Sequence, residues 1–295
     1  MTHPIRAQVI LVALCCGRAL AQEQQGSPLD EVDVSVERQN QLENESLTLS
    51  GTPDVGPHLH HTTAVVGLGA LFHPVYLGSN KNTVDPFPYV DIRGLLGDRL
   101  FVADVGGIGV KILNDGLVRA GVSVTYGGGR KSSDDSHLKG LPDIKSTARV
   151  NGYIALALKP ITLEAKVEQR TGSENGTSAG LGASYNFAPL PQLHLSLSAD
   201  LAWNNATLQK LIFGITPADA AAANAQGNPL PAYTARAGVT SATLVGAGVY
   251  QINKRWGVIG RFSLTDLVGS SARDSPLTQR TFALSSFALG MAYSF

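Results

Sequence analysis

Ile161-Thr-Leu-Glu-Ala-Lys-Val-Glu-Gln-Arg170 alternates in character residue by residue. Ile161, Leu163, Ala165 and Val167 fall on one face; Thr162, Glu164, Lys166, Glu168 and Arg170 fall on the other. Period two marks a β-strand with two unlike faces. The segment before it repeats the pattern, with Val150, Gly152, Ile154, Leu156 and Leu158 opposed to Arg149, Asn151 and Tyr153. So does the one before that: Val118, Ala120, Val122, Val124 and Tyr126 alternate with Arg119, Gly121, Ser123 and Thr125.

Such strands have two destinations. In a soluble sandwich the apolar faces turn inward; in a membrane barrel they meet lipid and the polar faces line the lumen. Three features favour the barrel. Segments run about 9–13 residues, the length a tilted strand needs to cross a bilayer, where soluble strands average ~5–6. The apolar faces are small and aliphatic, with aromatics near segment ends (Tyr126, Tyr185, Phe187, Trp203, Tyr250, Trp256), as interfacial girdles require. The final strand, Thr281 to Phe295, places Phe287, Leu289, Met291, Tyr293 and Phe295 at alternate positions and ends on an aromatic, resembling the signal read by the assembly machinery of bacterial outer-membrane barrels.

The expected fold is all-β, an antiparallel up-and-down transmembrane β-barrel over 62–295. Its strands are expected at 62–72, 86–93, 116–127, 146–158, 160–170, 177–187, 192–203, 239–251, 254–265 and 281–295, with 98–113 ambiguous. Read as one strand, 98–113 makes eleven. A tight turn at Gly106-Gly107 makes 98–104 and 107–113 and a total of twelve. Single-chain bacterial barrels have even strand numbers, so about twelve is expected, with ten as the alternative and both termini in the periplasm. Short connections (Lys159-Pro160, Ala188 to Gln192, Gln251 to Lys254) belong to the periplasmic side, and 128–145, 171–176, 204–238 and 266–280 to the outside. The Ala-rich run Ala218 to Ala225 has the composition of a helical turn within 204–238.

Composition agrees. Of 295 residues, 32 are glycine and only 16% are charged, which excludes a disordered polyampholyte. Beyond residue 21 no apolar run of about 18 exists for a spanning helix. The formal charge of +0 gives no sign of a nucleic-acid partner. It hides an asymmetry, because 22–50 hold seven acids and one base while 51–295 hold 20 bases and 16 acids.

Residues 1–21 read as a cleaved signal peptide: Arg6 in a polar lead, Val9 to Cys16 apolar, Ala19-Leu20-Ala21 at the cleavage site. Eight apolar residues are too few for a membrane anchor. Leu14 before Cys15 fits a lipid-modification site poorly. Both cysteines lie in this segment, leaving the mature chain without thiol chemistry. Residues 22–61 are then a flexible acidic periplasmic arm.

The polar faces direct Asp91, Arg93, Arg119, Arg149, Glu164, Lys166, Glu168, Arg170 and Arg261 toward the lumen, since a charge facing lipid costs about 2–4 kcal/mol at mid-bilayer. They form either a selectivity field for small solutes or a salt-bridge network that fills a narrow barrel. His194, Ser196, Ser198 and Asp200 share one face and suggest a lipid hydrolase. Positions two apart on a strand stand about 6.6–7 Å apart, which is too far for direct Ser–His contact. His58, His60 and His61 could hold a transition metal or be plain linker; no cofactor is expected. Asp30-Glu-Val-Asp-Val-Ser-Val36 is similar to the box by which energised transporters engage TonB, yet no segment here is long enough for their plug.

Val75-Tyr76-Leu77-Gly78-Ser79 followed by Pro86-Phe87-Pro88-Tyr89-Val90 resembles the opening hairpin of the MltA-interacting protein (MipA/OmpV) family. Gly127-Gly-Gly-Arg130 with Leu138-Lys-Gly-Leu141, Phe213-Gly214-Ile215-Thr216, Arg255-Trp256, Asp274-Ser275-Pro276 and Tyr293-Ser-Phe295 follow in that family's order. The chain departs from it at Leu211-Ile212, where an aromatic is common, and the arm 22–61 finds no counterpart. The resemblance implies a non-enzymatic barrel in outer-membrane lipid. It implies a scaffold for a lytic transglycosylase and a peptidoglycan synthase, or alternatively an entry route for small polar solutes.

Overall fold

The computed structural model describes residues 63–95, 99–103 and 107–295, with backbone alone at 63, 93–95 and 101–103. The signal segment 1–21, the arm 22–61 with Asp30–Val36, and His58, His60 and His61 lie outside the described residues, as does Gly106.

Twelve antiparallel strands among the described residues close into one barrel. They are β1 Thr63–Pro74, β2 Asn82–Leu95, β3 Leu100–Ala103, β4 Gly107–Asn114, β5 Val118–Gly127 and β6 Thr147–Leu158. They continue as β7 Ile161–Arg170, β8 Gly176–Leu190, β9 Leu193–Asn204, β10 Gly238–Gln251, β11 Trp256–Asp266 and β12 Leu284–Ser294. Each pairs with its sequence neighbours, and β12 closes on β1 in register from Val65↔Ser294 to Phe72↔Phe287. Closure pairs the whole ladder and removes the free edge that hydrocarbon would not tolerate.

The ambiguous region 98–113 is two strands. Leu100 pairs with Val110 and Ala103 with Gly107 in an antiparallel ladder, and Gly107 takes φ +68, a value open to glycine. The ten- and eleven-strand alternatives are thereby excluded. Three strands differ most from expectation, and one of them, β8, runs on to Leu190 where a turn was expected from Ala188. β2 reaches back to Asn82, with Pro86 and Pro88 accommodated opposite Ala70 and Leu68. β12 starts at Leu284 rather than Thr281, because Ala283 takes φ +54 and breaks the extended run.

Burial follows the alternation. Val122, Val124 and Tyr126 face outward and exposed, while Ser123 and Thr125 are buried inside. At the end with short turns, Trp256 stacks edge-on against Tyr293 at 5.0 Å and Tyr293 against Phe295 at 4.9 Å. Tyr185 and Phe187 pair at 5.5 Å near the same end. These aromatics form the girdle expected at one lipid interface. Phe287, Leu289, Met291 and Phe295 are 45–74% exposed on the outward face of β12.

The interior is not uniformly polar, which corrects the expectation of a lumen lined by polar faces throughout. Leu71, Phe87, Tyr89, Ile259, Ala288 and Ala292 form a dry cluster inside β1, β2, β11 and β12. Most interior charges lie on the other wall, on β5, β6, β7 and β9, with Arg261 on β11 and Asp91 on β2 as outliers. The reason lies in residue size. Gly67, Gly69 and Gly290 leave the β1–β12 seam without bulk, and a methyl at Gly69 would sit 2.6 Å from Gly290 Cα. Phe87 and Tyr89 on β2, the register partners of Gly69 and Gly67, fill that space.

Candidate functional site: the capped end

Four long connections leave the same end of the barrel, 75–81, 128–146, 205–237 and 267–283, together with the shorter 171–175. The opposite end carries turns of two to four residues. By the usual arrangement the long loops are extracellular.

Local sequence dictates how these loops fold. Asn205 caps helix α1 (Ala206–Phe213), its Oδ1 accepting from Leu208 N–H at 2.9 Å. Thr216 caps α2 (Pro217–Ala225) in a reciprocal capping box with Asp219, and Pro217 stands at the first helical position, where its missing N–H costs nothing. The Ala-rich run is therefore a full helix. The helix before it, α1, carries no pattern that the sequence reading picked up. A third helix, α3, is a single turn at Ser270–Arg273. Asp135 caps the short 3-10 turn Ser136–Leu138 by accepting from His137 N–H at 2.7 Å.

The loops then pack on one another. Tyr76, Leu138, Leu141, Ile215, Leu230 and Leu277 form one buried cluster with α2 alanines, and Leu77, Leu208, Ile212, Phe213, Leu267 and Leu284 form a second. Loop 128–146 springs from β5–β6, across the ring from the β11–β12 and β1–β2 loops, so its contacts with them span the mouth. Tyr76 Oη donates to Leu277 O at 3.1 Å, and His137 Nε2 lies 2.8 Å from Pro276 O. Lys81 Nζ meets Asp135 Oδ2 at 3.2 Å. Asn228 Nδ2 donates to the carbonyls of His137 and Lys139 at 2.9 and 3.0 Å. Gly140, at φ +83, lets α2 approach so closely that a methyl there would lie 2.6 Å from Ala223 Cα.

Most of the family-motif positions sit in this lid. Ser275 Oγ donates to Phe213 O at 2.7 Å, and Arg130 Nη1 to Ile212 O at 2.9 Å. Gly78 O accepts from the N–H groups of Gln279 and Arg280. Gly214 N–H closes α1 onto Lys210 O, Pro276 O meets His137, and the Asp274 N–H donates to Ser270 O. Ser79 Oγ accepts from Lys81 N–H. Pro88 is the exception, in the β2 wall. Burial, then the Asp135 charge, pushes the Tyr76 phenol above its ordinary range. For Asp135 itself burial pulls upward, but the His137 N–H and Lys81 outweigh it and hold the carboxyl below the usual carboxylate range. The exposed Asp143 is held low by its bond from Ser132 N–H.

Directly beneath, Arg149, Glu168 and Arg170 are 0%, 3% and 6% exposed. Arg149 Nη1 stands 3.7 Å from Glu168 Oε2, and Arg170 Nη2 donates to Gly128 O at 2.6 Å. Deeper in the interior, Arg119, Glu164, Lys166 and Arg261 are half-buried and form a second charged group with Asp200. Asp91 lies away from both, on β2, where Tyr89 Oη donates to it at 3.5 Å. The side chain of Arg93 lies outside the described residues. On β9, His194, Ser196, Ser198 and Asp200 share the inner face, and Ser198 Oγ donates to Asp200 Oδ2 at 3.2 Å. The buried pair His73 Nε2–Asp85 Oδ2, at 2.9 Å, was missed at the sequence level because each residue stands isolated in the chain. The same holds for Asn228 and Tyr233, whose partners are 37 to 91 positions away.

A family model described as MltA-interacting protein MipA matches residues 66–295. A comparison with curated proteins returns no match. Among solved structures, an outer-membrane channel from Pseudomonas putida F1 is 11% identical, with 82% of this chain and 99% of that one covered and a TM-score of 0.39. The NanC porin is 8% identical over 78% and 98%, at 0.37. The N-terminal β-barrel domain of Pseudomonas aeruginosa OprF is 11% identical over 79% and 97%, at 0.25.

Proposed function

The chain belongs to the MltA-interacting protein MipA family, and from that premise we propose that it is a non-enzymatic outer-membrane scaffold for peptidoglycan-remodelling enzymes. The capped mouth carries the reading. Two buried clusters and a set of cross-mouth hydrogen bonds make the extracellular end a folded lid, which an open pore has no need of. Binding is left to the periplasmic side: the short turns and the acidic arm 22–61, freed when the signal 1–21 is cleaved. The partners are a lytic transglycosylase and a peptidoglycan synthase. Crosslinking in cells followed by capture of the solubilised barrel recovers both, and deletion of 22–61 reduces the yield severalfold. Capture that recovers neither enzyme overturns the proposal.

A second reading draws on one observation, the partly buried charged group of Glu164, Lys166 and Arg261 below the lid. Such a wall suits passage of small polar solutes. In that case the lid is a gate, and channel activity appears only when it is displaced.

A further inference from the structure

The lipid-facing wall of β6 to β9 has a hollow. Two neighbouring outward rows cross these strands along the register, one from Gly152 through Val167 and Ala179 to Trp203, the other from Ile154 through Ala165 and Leu181 to Leu201. The row between them, through Tyr153 and Lys166, turns its side chains to the lumen and shows only backbone outside. Such rows stand about 6.6–7 Å apart. Bulk is missing from them at Gly152, Ala165 and Ala179, and a methyl at Gly152 would meet nothing within 4 Å. Val167, Leu181 and Trp203, 40–65% exposed, stand up around the gaps. The result is an apolar groove of about 670 Å³, lined by the two rows and the strip of backbone between them.

The register fixes its course. Neighbouring strands lie about 4.8 Å apart, so four strands give a length of roughly 14 Å. One end lies at Trp203, beside Asn204, where β9 meets the lid. The other lies at Gly152, well down β6 from its lid end at Thr147. The groove therefore slants from the extracellular interface into the hydrocarbon, the path of an acyl chain hanging from a headgroup. Both carboxylates near the strand ends above it are engaged, Asp143 by Ser132 N–H at 2.6 Å and Glu174 by Ser173 Oγ at 3.4 Å. Lys145 and Lys210 are exposed there and form no ion pair among the described residues. A second copy of the barrel would bring the same face to a two-fold contact, hollow against hollow, and leave the groove unfilled.

We propose that this groove holds one acyl chain of a phosphorylated lipid of the outer leaflet, with the headgroup beside Trp203 and Lys210. The chain gains contact on three sides, where a flat wall would offer one. The indole of Trp203 sits at the level its amphipathic ring favours. Lys210, on the helix that follows β9, supplies charge for the phosphate.

The test uses the whole mature barrel in nonionic micelles, with Trp256→Phe leaving Trp203 as the one tryptophan. Phosphatidylglycerol with brominated chains is titrated in, and Trp203 fluorescence is read. Quenching is expected to saturate with lipid mole fraction. Gly152→Leu, which fills the far end of the groove, is expected to raise the half-saturating fraction at least fivefold; Ala165→Leu does the same and serves if Gly152→Leu does not fold. Gly260→Leu, at an outward glycine on β11 where a methyl would meet nothing closer than 3.8 Å, leaves it unchanged. Brominated diacylglycerol, which has the chains without the phosphate, needs at least a threefold higher fraction, and Lys210→Gln closes that gap. Quenching that rises linearly without saturation, or that is unchanged in the folded groove-filling variants, overturns the proposal. Equal affinity for the two lipids overturns it as well. So does sedimentation in which Gly152→Leu dissociates a dimer, since the groove would then belong to a second copy.

Discussion

The two ends of this barrel are built by opposite rules. At one end, connections of two to four residues reverse the chain without building a layer of their own. Asn253 is typical, its side chain accepting from the N–H groups of Arg255 and Trp256 at 2.9 and 3.0 Å, all in the open. At the other end, four loops give up freedom to form a small folded layer with its own apolar interior. Ordering backbone costs about 1–2 kcal/mol per residue, so such loops stay ordered only where burial offsets that cost. The difference teaches where each end spends its sequence: the lid on closing the mouth, the turns on reversing the chain in as few residues as possible.

Substitutions sharpen that contrast. Phe213 is 1% exposed at the centre of the second lid cluster. Phe213→Ala is expected to destabilise the lid by about 3–5 kcal/mol, opening loops 128–146 and 205–237 to protease while the circular dichroism of the strands persists. Loss of strand signal together with the loops would mean that the two layers are not separable. Asp135→Asn removes a charge that accepts from His137 N–H and pairs with Lys81, and is expected to cost about 2 kcal/mol at neutral pH. Because the folded Asp135 carboxyl is held low, its contribution is complete above the ordinary carboxylate value near 3.9 and is lost as pH falls through the folded value. The melting-temperature gap between wild type and Asp135→Asn is therefore widest near neutrality and closes in acid; a gap that widens in acid contradicts the sign. Ser275→Ala takes the donor from Phe213 O and is expected to cost about 1 kcal/mol, read as earlier loop proteolysis. Asn253→Ala, at the plain end, is expected to change chemical stability by less than about 1 kcal/mol and lid proteolysis not at all.

The wall was legible in the sequence and the lid was not. Strand alternation is a local property, visible in Ile161–Arg170 without knowing any partner, and lipid enforces it because an outward charge is costly. Parity resolved 98–113, where the pattern alone left one strand or two. The lid rests on contacts between residues as distant as Tyr76 and Leu277, which no window along the chain brings together. Motif positions such as Arg130, Phe213 and Ser275 stood out by resemblance, but their joint role as staples became visible only in three dimensions. The apolar interior sector escaped for a different reason. Phe87, Tyr89 and Leu71 sit on the face that alternation assigns to the lumen, and small residues opposite them permit a core there.

Closure of the mouth is tested most directly by planar-bilayer recording of the wild-type barrel at neutral pH and moderate salt. The packed lid predicts membranes that hold inserted protein without steady ionic current. A stable conductance from wild-type protein whose loops still resist protease would contradict it, since ions would then be crossing a mouth that the loops are said to seal.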